Sequence, residues 1–235
     1  MKDLRAIDAI AFDLDGTLVD SAPDIRDALN AALGEAGLEG FELDTVRAWI
    51  GDGPDALIAH ALCCHGFDAD EAPHARLRKT FDAATLAAPL QSGRVFHGIA
   101  ELVAGLARRL PMVVVTNKPT PLARAVLDAA GLLPFLSGVH GADAADQRKP
   151  APFLLLAAAH RLGVAPARLL MVGDAPPDLL AARAAGCPAA LAAWGYGGCA
   201  VADVLPGAWR LATPQQLLLT ACESRAMRSQ EMTSN

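Results

Sequence analysis

Two carboxylates, Asp13 and Asp15, stand one residue apart at the end of the hydrophobic run Ile10-Ala11-Phe12, and Gly16-Thr17 follows them. In an extended strand, residues i and i+2 face the same side, so both acids can look into one pocket. Two like charges that close are unfavourable unless a cation or a shared proton relieves them. The pattern therefore predicts a divalent metal site. A third carboxylate, Asp174, follows the run Leu169-Leu170-Met171-Val172-Gly173, and Asp178 lies one helical turn further on. Oxygen donors of this kind suit a hard cation such as Mg²⁺. Asp13 and Asp174 are read as carboxylate ligands and Asp15 as a ligand through its backbone carbonyl. Asp178 either ligates directly or holds a metal-bound water.

A metal, carboxylates, a glycine-threonine turn and one lysine together suit a phosphoryl group. Backbone N–H groups from Leu14 through Gly16 and Thr17 can form an anion nest. Thr116, ending the β-branched run Met112-Val113-Val114-Val115, offers a hydroxyl, and Lys149 a positive charge. Donors placed on developing charge are usually the largest catalytic contribution, about 3–4 kcal/mol for one good donor. A carboxylate can also act as nucleophile and form an aspartyl-phosphate. Asp13 fits that part, and Asp15 fits a general acid and base.

The elements that must hold these residues can be read from the apolar spacing. Residues 6–13, 112–116, 169–173 and 189–193 read as strands, with a shorter one over 137–140. Helices are predicted near 98–109, 121–130 and 152–161, and from Pro176-Pro177 to Gly186, where proline is tolerated in a first turn. This alternation predicts a doubly wound parallel sheet, whose ligands sit at the carboxyl ends of the strands. Between residues 21 and 85 only helical material is read, so the fold class is α/β with an inserted all-helical segment. The expected division is a core of residues 1–20 and 86–222, a helical insert of 21–85, and a flexible tail of 223–235.

The chain has 235 residues, 53% of them hydrophobic, which is enough for a sizeable core. Its net charge of −6, without any basic tract, argues against a nucleic-acid partner. No uncharged apolar run is long enough for a membrane span, and the start of the chain does not resemble a secretory signal. Five cysteines without framework spacing read as reduced thiols, consistent with a cytoplasmic location. His60, Cys63, Cys64 and His65 do not form a zinc site, because adjacent cysteines on a helix do not converge with both histidines.

Four motifs carry a family resemblance. Phe12 through Ser21, Val115-Thr116-Asn117-Lys118-Pro119, Lys149-Pro150, and Val172-Gly173-Asp174 with Asp178 and Ala181 through Gly186 stand in order along the chain. The sequence resembles the haloacid dehalogenase superfamily of phosphohydrolases, and within it the phosphoglycolate phosphatases. The resemblance implies a Rossmann-like core with a helical cap that closes over a small phosphorylated metabolite. It also implies a monomer or homodimer hydrolysing 2-phosphoglycolate, with another small metabolite such as a sugar phosphate, or a phosphomutase, as the alternative within the superfamily. A non-catalytic protein on the same scaffold would lack Asp13 or Asp174, and both are present. Substrate contacts are expected from Gly16, Thr17, Asn117 and Lys118, and from Arg47, Trp49 and Gly51 in the insert. Trp49 can equally be a packed aromatic. Some positions depart from the family pattern. Asp52 stands where Asn or His is usual and would turn a negative charge towards an anionic substrate. Ala175 stands in place of serine, Ala151 in place of a polar residue, and Arg94-Val95-Phe96-His97-Gly98 in place of a proline-aromatic-proline-glycine entry.

Overall fold

A computed structural model describes residues 4–67, 72–197 and 207–220. The expected tail and Cys199 and Cys222 lie outside the described residues. The strands are β1 (Ala9–Phe12), β2 (Val19–Asp20), β3 (Arg94–Val95), β4 (Met112–Thr116), β5 (Gly138–Gly141), β6 (Leu169–Gly173), β7 (Ala189–Ala192) and β8 (Trp209–Leu211). The helices are α1 (Ala22–Glu35), α2 (Leu43–Ala48), α3 (Pro54–Cys64), α4 (Ala72–Ala87), α5 (Ile99–Ala107), α6 (Thr120–Ala129), α7 (Phe153–Leu162) and α8 (Pro176–Ala185). Residues 214–220 form a further helical turn.

Six strands make one sheet in the order β5-β4-β1-β6-β7-β8, and every neighbouring pair is parallel. The chain leaves β1 towards β4 and β5, then returns to β6 on the other side. The order therefore reverses beside β1, and such a reversal opens a crevice at the strands' carboxyl ends. β1, β4 and β6 are buried along their whole length, as expected for strands covered on both faces. Alternate residues feed two cores. Ile10, Phe12 and Val114 join Leu102 and Leu127 on one face, whereas Ala9, Ala11 and Val113 meet Leu155 and Leu179 on the other.

The predicted strands at 112–116 and 169–173 match β4 and β6. β1 is shorter than the expected 6–13, since residues 4–6 form a 3-10 turn. Two elements escaped the sequence reading. β8 is a short edge strand with only Leu211 buried. The second is the antiparallel ribbon of β2 with β3, which pairs Val19 with Val95 and Asp20 with Arg94. Strands of two residues have no period to detect, and their pairing spans a long stretch of chain. This ribbon joins the segment that leaves the sheet to the one that returns to it.

Between the ribbon strands, α1 to α4 are the only regular elements among the described residues. They enclose a third core of Ile25, Leu29, Leu33, Ile58, Leu62 and Phe81, which also takes in Leu122 from α6. The helices thus bury their apolar faces against each other and against Leu122.

Candidate active site

Asp13 follows β1, Thr116 ends β4 and Asp174 follows β6, so three neighbouring strands deliver their chemistry to one edge. The Asp13 amide is itself pinned to Val172 of β6, N to O 2.9 Å. Oxygens of Asp13, Asp174 and Asp178 all lie within 4.8 Å of one another, and all three residues are buried. Lys149 is set among them. Its ammonium donates to Asp13 Oδ1 at 2.6 Å, to Asp178 Oδ1 at 2.6 Å and to the Val115 carbonyl at 2.9 Å.

The electrostatics follow from that crowding. Burial, joined by the neighbouring Asp178 and Asp174 charges, pushes the Asp13 carboxyl up to about 8 against the pull of Lys149. Burial and Asp178 likewise raise Asp174 to about 6, although Thr17 and the amides of Tyr196 and Gly197 favour its charged form. Burial alone would lower Lys149, but Asp13 and Asp178 outweigh it and hold the ammonium above the usual lysine value. A pocket that must hold protons to stay neutral is short of positive charge. A divalent cation on the three oxygens would supply it, so the donor set fits a hard metal ion.

Asp15 does not join the acidic cluster. Its Oδ1 accepts from Lys118 Nζ at 2.6 Å and from the Ser21 hydroxyl at 2.5 Å. Its carboxylate is therefore turned away from the other three acids, which agrees with a reading in which only its backbone carbonyl approaches a metal. Thr17 was expected to contact substrate, but its side chain is fully buried and its hydroxyl donates to Asp174 Oδ1 at 2.9 Å. The expected anion nest does not use these two amides either, because the Thr17 amide donates to the Leu14 carbonyl at 3.3 Å and the Gly16 amide to the Val19 carbonyl at 2.9 Å. Gly16 has φ of +91°, and a Cβ there would lie 2.5 Å from Asp174 Oδ2. The turn needs glycine both for its left-handed backbone and for this approach.

Thr116 Oγ1 accepts from the Lys118 amide at 3.2 Å, and Asn117 is buried with its side chain on the Lys149 backbone. Two cavities share Asp13, Asp15, Ile50 and Gly51. The larger, about 200 Å³, also contains Lys149, Asp174, Asp178, Arg47 and Tyr196. The smaller, about 40 Å³, is walled by Ile25, Trp49, Leu57 and Phe81, with Thr116, Asn117 and Lys118 joining Asp13 and Asp15 as its polar members. Arg47 pairs with Asp44 at 2.6 Å and lies over the Tyr196 ring at 6.0 Å, so it faces the acidic cavity. Trp49 lines the smaller cavity and packs edge-on against Phe41. Asp52 is exposed and lines neither cavity, contrary to the expectation that its charge faces the substrate.

Tyr196 was not anticipated. Its amide donates to Asp174 Oδ2 at 2.8 Å, its hydroxyl donates to Asp20 at 3.0 Å, and the Ala22 amide donates to that hydroxyl at 2.9 Å. It thereby ties the β6 carboxylate to the ribbon and the start of α1. The available signal was a lone tyrosine among glycines just beyond a strand. His60 stacks on Trp49, and Cys63 and Cys64 are exposed.

The chain is similar to known proteins in sequence and in fold. The family model of haloacid dehalogenase-like hydrolases matches residues 7–186. A phosphoglycolate phosphatase from Rhodospirillum rubrum is 41% identical over 194 residues, 80% of this chain and 80% of that protein. One from Yersinia pseudotuberculosis is 37% identical over 197 residues, 83% and 85% of the two chains. Among solved structures, a predicted phosphoglycolate phosphatase from Haemophilus somnus superposes with a TM-score of 0.82 at 29% identity, covering 91% of this chain and 97% of that one. CbbY from Rhodobacter sphaeroides, solved in complex with phosphate, gives 0.77 at 25% identity over 90% and 96%. With the strand-end carboxylates and the buried lysine in place, these matches establish that the chain belongs to the haloacid dehalogenase-like hydrolases.

Proposed function

We propose that this hydrolase is a Mg²⁺-dependent phosphomonoesterase that works through an aspartyl-phosphate on Asp13, with 2-phosphoglycolate as its substrate. The observation that carries this reading is Lys149, buried on Asp13 and Asp178 at 2.6 Å each within the acidic cluster. An attacking carboxylate needs a fixed cation beside it that cannot itself be phosphorylated at the reacting atom, and Lys149 stands there. Asp13, Asp174 and the Asp15 carbonyl would hold the metal, with Asp178 beside them anchoring Lys149. When bound, the ion neutralises charge on the phosphoryl oxygens.

An Asp13 oxygen attacks phosphorus, the ester P–O bond breaks, and Asp15 protonates the leaving oxygen. Asp15 then takes a proton from water as that water attacks the acyl phosphate, returning Asp13 as carboxylate and releasing phosphate. Lys118 and Ser21 hold Asp15 Oδ1, which leaves Oδ2 for the proton. Thr116 and Lys149 stabilise the transferring oxygens. We assign residues 21–85 as a cap over this site on the core of 1–20 and 86–222, with Gly51 and Trp49 facing the substrate and Arg47 facing the phosphate side.

Substrate size follows from the smaller cavity. About 40 Å³ gives room for only a few heavy atoms. Beside Asp13 and Asp15 its walls are mostly apolar, and Lys118 is its single lining cation, so a short acid with its carboxylate against Lys118 fits. A two-carbon hydroxy acid meets that description. The test is phosphate release from a panel of phosphomonoesters, with Mg²⁺ and with EDTA. Release from 2-phosphoglycolate without a bisphosphate activator is expected, with larger esters slower. Failure of every ester to yield phosphate would overturn the reading, and a requirement for a bisphosphate would turn it to a mutase.

The raised acids also predict how the ion binds. Asp13 near 8 and Asp174 near 6 hold protons in the native state that the unfolded chain, with aspartates near 3.8, has lost. Metal-free stability therefore falls as pH rises from about 4 to 8. Lys149 does not offset this, because it is charged in both states throughout that window. Mg²⁺ competes with those protons, so its gain in melting temperature should be larger at pH 8 than at pH 5.5. Thermal unfolding with and without Mg²⁺ checks this, and an equal gain at both values contradicts it.

A further inference from the structure

We propose that Asn117 and the Asp55–Arg148 ion pair are positioning groups that make the placement of Lys149 depend on the seating of the helical insert. The inference rests on the phosphatase reading only for the kinetic half of its test. Asn117 uses its whole side chain. Oδ1 accepts from the Lys149 amide at 2.7 Å, while Nδ2 donates to the Lys149 carbonyl at 3.0 Å and to the Gly51 carbonyl at 2.9 Å. One amide group thus grips the backbone of the buried lysine and the loop before α3 together. The loop lies close on it, because a Cβ at Gly53 would come within 2.8 Å of the Asn117 carbonyl.

A second tether leaves the residue next to the lysine. Arg148 pairs with Asp55 in the first turn of α3, and Arg78 of α4 takes the other oxygen of the same carboxylate. The pair is largely sheltered, with Arg148 25% and Asp55 29% exposed, so it is screened less than an ordinary surface pair. Arg148 Nε is buried and has no hydrogen-bond partner, and without Asp55 the Arg148 guanidinium would lose its carboxylate while Arg78 keeps Asp82 at 2.8 Å. Residues 148 and 149 therefore hold residues 51 to 55 by two independent contacts.

The consequence falls on the ammonium. Lys149 Nζ must reach acceptors on three segments, at Asp13, Val115 and Asp178. A displacement of about 1 Å at such a group can cost about 100-fold in rate. Seating the insert completes the lysine's backbone restraints, and lifting it removes the Gly51 and Asp55 contacts together. The insert then acts on the chemistry through Lys149 in addition to covering the pocket.

The test uses Asp55→Asn, Arg148→Gln, their double variant and Asn117→Ala in the full chain, with circular dichroism and melting temperature as fold controls. The first readout is hydrogen exchange of the Lys149 amide by NMR. Asp55→Asn, altered only on the insert, should speed that exchange about tenfold or more. The second readout is kinetic. Each single variant should lose kcat about tenfold with KM changed less than about threefold, and the double variant should be no worse than the weaker single. Asp55→Glu should recover most of the loss. Unchanged Lys149 exchange, additive losses in the double variant, or a rise in KM alone would overturn the coupling. Should Asp55→Asn fail to fold, Arg148→Gln decides by the same readouts. Should the wild type release no phosphate, the phosphatase reading falls while the exchange measurement still decides the coupling.

Discussion

Asp13→Asn should abolish turnover, by about 10⁴-fold or more, while leaving the fold intact. The amide has the shape of the carboxylate but is a poor nucleophile, so no aspartyl-phosphate can form. The structure also explains why the fold should tolerate it. Burial already pushes the Asp13 carboxyl up to about 8, so the native pocket is accustomed to a neutral group there. Lys149 keeps Asp178 and the Val115 carbonyl as acceptors. Phosphate release and circular dichroism measured side by side check this. A variant with near-normal rates would show that Asp13 is not the nucleophile, whereas an unfolded one would show that the carboxylate is needed for stability.

Lys149→Met should fail differently, losing both activity and stability. The substitution leaves Asp13 and Asp178 buried without their shared cation. Removing one partner of a buried pair costs about 3–5 kcal/mol. Part of that is recovered where the Asp13 carboxyl, already pushed up to about 8, takes up its proton, so the loss in melting temperature should be greater at pH 8 than at pH 6. Added Mg²⁺ should restore part of it, because the ion can stand in for the missing charge on the same oxygens. Turnover should not return with it, since the fixed donor to the phosphoryl group is gone. Thermal unfolding across that pH range, with and without Mg²⁺, measures the first effect, and phosphate release measures the second. A loss independent of pH would mean that Lys149 stabilises by packing alone.

The contrast between the two variants isolates the electrostatic design of the site. Asp13 is replaceable for folding and essential for chemistry, whereas Lys149 serves both. The cause is the imbalance among the buried charges, where three carboxylates surround one ammonium.

Much of this protein was legible in its residues. The runs at 112–116 and 169–173 are fully buried and β-branched or large, so their own period and bounding polar residues define them. The carboxylates at 13 and 174 sit where those strands end, and a parallel sheet brings strand ends together wherever its strands are in register. The type of chemistry followed from local spacing combined with one topological rule. What needed the tertiary structure was the direction of each side chain and the pairing of distant segments. Thr17 turns to Asp174 because a fully buried hydroxyl must find an acceptor, and the fold brings that carboxylate to it from 157 positions away. Asp15 is turned from the acidic cluster by a lysine 103 positions away in the chain. The β2–β3 ribbon, Tyr196 on Asp174 and Arg148 on Asp55 join residues whose spacing carries no period at all. The first stretch, Asp13 to Thr17, thus announced a metal and a phosphoryl group by its composition, and the surrounding fold decided which of its atoms are free to meet them.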